Sequence, residues 1–320
     1  MDVRIGCCGR TCGVAMAKYT LRQLTYFEAV AETGSISSAA SGLHVSPTAV
    51  ASALNELERV FGTQLVVRRK AHGVSLTPAG SYLHSRAADL LRQADDLELN
   101  VASGGAELNG PLVIGCYATV APTVVPPLLE WFADNHPKVQ VRVVEGSQSE
   151  LPGRLLAGEL ELAVVYDLNL PTGLESVVLY EAPAHVLLPA GHRLAKQPVV
   201  SLGELAGEPM VLLDVPPAAQ HTMALFDRVG VVPEVAVQVS DFELARSLVA
   251  RGMGYAIMIQ RPAVGKSYEG LPVVAKEIRP AVQPIRVKAV WPTAVRLTDR
   301  GRALLDLARN PGIPKAPRAR

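Results

Sequence analysis

Apolar residues fall into three short helical blocks between Thr20 and Phe61. Leu21, Leu24, Phe27, Ala29 and Val30 share one face of a first helix, which Gly34 ends. Ser35 has the side chain of an N-cap for a second helix, Ile36 to Leu43, with the small pair Ala39-Ala40 inside it. His44-Val45 makes a tight break. Ser46 caps a third helix, with Pro47 at the first position, where a missing N–H removes no helical hydrogen bond, and Gly62 stops it. In this helix Val50, Leu54, Leu57 and Phe61 form the apolar stripe. Thr48, Ser52, Asn55 and Arg59 repeat at the same spacing on a polar face. Three short helices with a tight second-to-third turn predict a helix-turn-helix, whose second motif helix enters a major groove by its N-terminus.

A hairpin follows. Leu65-Val66-Val67 and Val74-Ser75-Leu76 read as short strands around Arg68-Arg69-Lys70-Ala71-His72-Gly73, with Gly73 suited to a left-handed turn position. Three successive cations at a hairpin tip suit phosphate contact, so the hairpin reads as a wing. Thr77-Pro78-Ala79-Gly80 opens a long helix whose stripe is Leu83, Ala87, Leu90, Leu91, Ala94, Leu97 and Val101. That stripe has no globular partner nearby in sequence, which predicts pairing with a second copy.

Beyond the linker Ser103-Gly104-Gly105 and the boundary Gly110-Pro111, strands and helices alternate. Strands are expected at Leu112–Gly115, Val139–Val144, Leu162–Val165, Val177–Leu179, His185–Leu188, Val211–Leu213, Val235–Val239, Tyr255–Ile259, Val273–Ile278 and Ile285–Trp291. Helices are expected at Val120–Asn135, Ser149–Ala157, Thr222–Val229, Asp241–Arg251 and Thr298–Leu307. Alternation of this kind predicts a mainly parallel sheet covered by helices, here in two lobes with a cleft between them. The expected division is a disordered tail over 1–18, a winged helix-turn-helix over 19–77, a linker helix over 78–108, a two-lobed α/β domain over 109–296 and a C-terminal helix and tail over 297–320. Within the α/β domain, lobe I takes 109–184 and 271–296 and lobe II takes 185–270.

Bulk properties narrow this little. The 320 residues allow two or three domains, and a net charge of +1 means that any nucleic-acid-binding charge is local. No run approaches the roughly 18 apolar residues of a membrane span, and the first fifteen residues lack a secretory apolar run, so a cytoplasmic protein is expected. Four cysteines, Cys7, Cys8, Cys12 and Cys116, neither build a disulfide framework nor show a paired metal-binding spacing. No cofactor or metal is expected.

The residues Leu21-Arg22-Gln23-Leu24, Phe27, Ala29-Val30-Ala31-Glu32, Gly34-Ser35, Ala39-Ala40, Leu43-His44-Val45-Ser46, Leu57-Glu58, Phe61-Gly62, Leu65-Val66, Arg68 and Leu76-Thr77-Pro78-Ala79-Gly80 stand at fixed spacing over some sixty residues. This block resembles the N-terminal domain of LysR-type transcriptional regulators. Gly158-Glu159-Leu160-Glu161-Leu162-Ala163, Leu188-Pro189, Gly191-His192-Arg193-Leu194-Ala195 and Gly252, Gly254-Tyr255-Ala256 resemble the family's effector domain more loosely. The resemblance implies a periplasmic-binding-protein-like effector domain and a dimer of dimers on inverted-repeat double-stranded DNA. The family's groove-facing positions fall on Pro47, Thr48, Ala51, Ser52 and Asn55. Proline and alanine cannot donate to base edges, so base reading is expected to lean on Thr48, Ser52, Asn55, thymine-methyl contact and DNA shape. Ser35 joins the expected DNA-binding set, with Arg68, Arg69 and Lys70 supplying salt-dependent affinity.

Ligands in α/β sheets collect beyond strand carboxyl ends, where helix N-termini favour anions. Thr119 and Ser147 match the family's ligand-contacting hydroxyls, and Ser240 holds the equivalent strand end in lobe II. Tyr166 and Asp214 complete the expected effector set. Asp167 and Asp214 suit either an amine-bearing effector or a turn. Two other functions fit parts of the pattern. A solute-binding protein would use the same lobes but needs export, and a thiol sensor at Cys116 lacks a second well-placed cysteine. His185, His192, His221 and Asp214 offer acid–base groups without a nucleophile elbow, metal spacing or phosphate loop, so no enzyme is expected.

Overall fold

The computed structural model describes residues 17–69, 73–102 and 107–309. The expected disordered tail, Cys7, Cys8, Cys12 and Lys70 thus lie wholly or almost wholly outside the described residues. The chain divides into two compact units, residues 1–91 and 92–320, each considered by itself.

The first unit opens with α1 (Leu21–Thr33), α2 (Ile36–Gly42) and α3 (Pro47–Phe61). Local chemistry sets each end. Thr20 and Gln23 form a capping box on α1, Ser35 accepts from the Ser38 amide, and Ser46 accepts from the Ala49 amide. His44 carries the turn between α2 and α3 with a φ of 54°. Leu24, Phe27, Val30, Ala39, Ala40, Val50, Leu54 and Leu57 close one core. Phe61 departs from its expected place in that stripe: it is 40% exposed, with its ring 5.3 Å from Tyr19. At the last turn of α3 the stripe has run past the packed helices.

The hairpin pairs β1 (Val66–Arg69) with β2 (Gly73–Leu76) antiparallel. Glu58 Oε1 accepts from the Leu65 and Val66 amides at 2.8 and 3.2 Å, which ties the wing to α3. The Val74 amide donates to the Gly34 carbonyl at 2.7 Å. A β-carbon at Gly73 would run into that same carbonyl, so only glycine allows the close approach. Helix α4 (Pro78–Ala102) follows, capped by Thr77 Oγ1 on the Gly80 amide.

The second unit holds the two lobes. Lobe I is a five-stranded sheet in the order β4-β3-β5-β13-β6, from β3 (Gly110–Tyr117), β4 (Val139–Gly146), β5 (Leu162–Tyr166), β6 (Leu174–Ala182) and β13 (Ile285–Pro292). It is covered by α5 (Ala121–Asn135), α6 (Leu151–Leu156) and α9 (Asp299–Arg309). Leu304, Leu305 and Leu307 of α9 pack into its core, so the C-terminal helix belongs to the lobe. Lobe II joins β7 (His185–Pro189), β8 (Val199–Ser201), β11 (Ala256–Met258) and β12 (Val273–Arg279) in the order β11-β7-β12-β8. A parallel pair, β9 (Pro209–Leu213) and β10 (Glu234–Val239), meets that sheet where Met210 bridges Tyr255. Helices α7 (Ala218–Asp227) and α8 (Phe242–Ala250) complete the lobe.

Two expectations need correction. The sheets are mixed: β3 pairs parallel with β4 and β5, but β13 runs antiparallel to β5 and β6, and β7 antiparallel to β11 and β12. The return to lobe I also comes later than residue 271, because β12 pairs with β7 and β8. The chain crosses between lobes after β6, near Pro183, and again between β12 and β13. Among the described residues no helix is long and apolar enough to cross a membrane.

Candidate functional site

The N-terminal unit presents one polar surface built on α3. Thr48, Ser52 and Asn55 are all exposed, one helical turn apart, while Val50, Leu54 and Leu57 on the opposite side are buried. Arg68 of β1 donates from Nη2 to Asn55 Oδ1 at 2.7 Å. Two expected groups, one from the helix and one from the wing, are therefore in direct contact, with the guanidinium held beside the helix face. Arg59 is engaged by Glu56 at 2.6 Å, which leaves it less suited to a ligand than Arg68. Ser35 is partly buried and caps α2. Arg69 ends β1, and its side chain lies outside the described residues.

The second surface is the cleft between lobes I and II. Thr119 and Tyr166 line it from lobe I, facing Leu213, Ala218, Thr222, Phe242, Ile257, Met258, Ile259 and Gln260. Sequence reasoning missed Gln260, which organises the site. Its Nε2 donates to the Tyr166 hydroxyl at 3.0 Å, and its Oε1 accepts from Tyr180 at 3.1 Å and Thr123 at 3.5 Å. Gln260 follows β11 in lobe II, so one amide crosses to three hydroxyls of lobe I. Tyr117 adds a second strap through its hydroxyl to the Pro216 carbonyl at 3.5 Å. Nothing in the local sequence marks Gln260, because a lone glutamine after a strand has no spacing signature. Gln148, also missed, pairs with the Tyr166 backbone at 2.8 and 3.0 Å and fixes the end of β5. The free space in the cleft is about 10 Å³, the scale of a single water. Burial raises the Tyr166 and Tyr180 hydroxyls above their ordinary range, so both stay neutral.

The other expected effector groups do not line that free space. Ser147 donates to the Glu150 carboxylate at 2.8 Å and meets the Ser149 hydroxyl at 3.1 Å in the turn before α6, and is absent from the cleft lining. Asp214 and Ser240 are exposed and outside that lining. Asp167 forms an ion pair with Lys288 at 2.8 Å.

Sequence comparison covers both surfaces. Residues 21–81 match the model for bacterial regulatory helix-turn-helix proteins of the lysR family, and residues 105–311 match the LysR substrate binding domain. The chain belongs to the LysR family. It is a transcriptional regulator with a DNA-binding helix-turn-helix and an effector-binding domain. The solved structure of HinK, a LysR family regulator from Pseudomonas aeruginosa, is 35% identical with a TM-score of 0.62, covering 91% of this chain and 97% of HinK. The nitrogen assimilation regulatory protein of Klebsiella aerogenes is 34% identical over 168 residues, 52% of this chain and 55% of that protein. The regulator OxyR of Escherichia coli K12 is 26% identical over 239 residues, covering 74% of this chain and 78% of OxyR.

In this LysR-type regulator Cys116 is a poor redox group. It is fully buried on β3, and burial, with the Glu145 carboxylate nearby, pushes its thiol up to about 12. The thiolate is the nucleophile, so reactivity near neutral pH is suppressed. With Cys7, Cys8 and Cys12 changed to serine, the native protein should stay inert to Ellman's reagent and release one thiol equivalent in denaturant. Rapid native labelling would restore a thiol sensor.

Proposed function

We propose that this regulator binds an inverted-repeat operator in double-stranded DNA through α3 and the wing, and that a small molecule between lobes I and II modulates it. The observation that carries the reading is the exposed Thr48, Ser52 and Asn55 face with Arg68 hydrogen-bonded to Asn55. Thr48 and Ser52 would meet base edges, and Asn55 and Arg68 would act as one unit at the groove wall, with Arg69 and Lys70 on phosphates and Ser35 beside them. On α4, Leu90, Leu97 and Val101 are 39%, 67% and 73% exposed at spacings of seven and four, a seam that suits pairing with a second copy. Two-fold pairing of the reading heads matches an inverted repeat, and pairing of dimers would give a tetramer. Thr119 and Tyr166 are the effector groups this reading retains. The protein senses its ligand in the cytoplasm rather than turning it over.

Footprinting on the DNA upstream of its own gene, with nonspecific competitor, tests the reading. A protected inverted repeat is expected. Replacing Arg68, Arg69 and Lys70 by alanine should flatten the plot of log affinity against log salt by about 0.9 for each lost phosphate contact. An unchanged salt slope would remove the wing from the interface. A genome-wide binding experiment without enriched sites would overturn the regulator reading.

A further inference from the structure

We infer that the interlobe cleft accepts an uncharged, largely apolar molecule, rather than a carboxylate or an amine; this rests on the effector reading above. The lining residues Thr119, Tyr166, Thr222, Phe242, Met258 and Gln260, with the aliphatic groups between them, include no charged side chain. A carboxylate or ammonium brought here would lose its hydration with no counter-charge, a far larger penalty than a neutral hydroxyl or amide would meet.

Helix N-termini are the usual remedy for a buried anion. Three helices open near the cleft, and each has either lost part of its free amides or is already capped by a carboxylate. Before and within the first turn of α5, the amides of Ala118, Val120 and Thr123 already donate to backbone carbonyls, and Pro122 has none. Helix α7 opens after Pro216-Pro217, two residues without an N–H. Helix α8 is capped by the Asp241 carboxylate, which accepts from the Leu244 amide at 2.7 Å and repels a second anion.

A cationic ligand fares no better. Asp167 is paired with Lys288, Asp241 is engaged in capping, and Asp214 is exposed outside the lining. Arg246 is turned to Glu243 at 2.8 Å and to the carbonyls of Val264 and Lys266. Arg261 follows Gln260 but does not line the cleft. His221 lies beside Thr222 on α7, and burial, then Arg228, lowers its pKa, which keeps it neutral. What remains is apolar wall with neutral hydrogen-bonding groups: Thr119, Thr222, and the Gln260 amide shared with Tyr166. The closed cleft holds only about 10 Å³, so a ring enters as the lobes part and Gln260 releases Tyr166, Tyr180 and Thr123; a ligand hydroxyl or amide then takes up those bonds, one neutral partner for another.

Calorimetric titration of the full-length protein with matched single-ring probes tests this: benzyl alcohol and benzamide against benzoate and benzylamine. The neutral probes are expected to bind about tenfold or more tighter than either charged one. Thr119→Val and Gln260→Leu should each weaken neutral binding several-fold. Thr119→Val conserves shape, so it reports even if Gln260→Leu fails to fold. Benzoate or benzylamine binding as tightly as the neutral pair, and sensitive to Thr119→Val, would overturn the uncharged class while leaving a sensing cleft. Absence of saturable neutral binding, or neutral binding indifferent to both variants, would also overturn the inference. None of these outcomes touches the footprint.

Discussion

Acidification from pH 7 to pH 5 is expected to lower the stability of the effector-binding unit by about 2 kcal/mol through His185. His185 opens β7 at the crossing between lobes and is almost wholly buried. Burial, reinforced by the nearby Arg261, takes its pKa from 6.5 down to about 3, against the weaker raising effect of a hydrogen bond to the Pro183 backbone. The folded-state value is thus depressed. Above pH 6.5 both states hold a neutral imidazole and the full stability is present. Below it the unfolded chain binds a proton that the fold refuses, and stability falls by about 1.4 kcal/mol per pH unit until the folded value is reached. His221, lowered by burial, pulls the same way. Glu161, whose burial raises its pKa, pulls the opposite way. Urea denaturation of wild type and His185→Gln at pH 7, 6 and 5 separates the contribution. The variant should lose most of the slope, and parallel curves for the two proteins would refute it.

The helix-turn-helix was legible in the sequence because its determinants are local. Caps at Ser35 and Ser46, the stop at Gly62 and the Val50-Leu54-Leu57 stripe each act within a turn or two of chain. The hairpin and the long helix were legible for the same reason. The effector domain was legible as alternation, but its pairing was not. An apolar run at Val273 states that a strand exists without naming its neighbour, and β12 lies in lobe II because Val274 and Ala275 meet Leu188 and Leu187 of β7. The same limit governed the cleft. Thr119 and Tyr166 were chosen because they stand at or just after strand ends, where ligands collect, and both line the free space between the lobes. Ser147 shared that position, yet a carboxylate three residues on, Glu150, engages its hydroxyl in the turn before α6. Gln260 was invisible because its role depends on Tyr166, Tyr180 and Thr123, all at least eighty residues away in sequence.

Removal of the Asp96 carboxylate should have the largest effect on the second unit. Asp96, on the later half of α4, meets Arg300 of α9 at 2.5 Å, and their side chains are only 13% and 6% exposed. Arg300 also donates to the Asn109 carbonyl at 2.9 Å, and Arg92 donates to the Gly158 carbonyl at 2.5 Å. Residues 92–102 of α4 are thereby fastened to lobe I by guanidinium groups at two points. Asp96→Ala leaves the Arg300 charge buried without its carboxylate, a loss of about 3–5 kcal/mol in such settings. Against a total stability of about 5–15 kcal/mol, that is enough to melt the unit at markedly lower temperature. The double variant Asp96→Ala with Arg300→Met should recover much of the loss, because the buried guanidinium goes with its partner. Calorimetric melting of the four proteins of this cycle measures the coupling directly. A loss below about 1 kcal/mol for Asp96→Ala would place the pair with exposed ion pairs and deny it any anchoring role. A full loss without recovery in the double variant would assign the effect to packing around Arg300. The expected result makes this contact the grip by which lobe I holds the helix segment that carries the exposed Leu97 and Val101 of the proposed pairing seam.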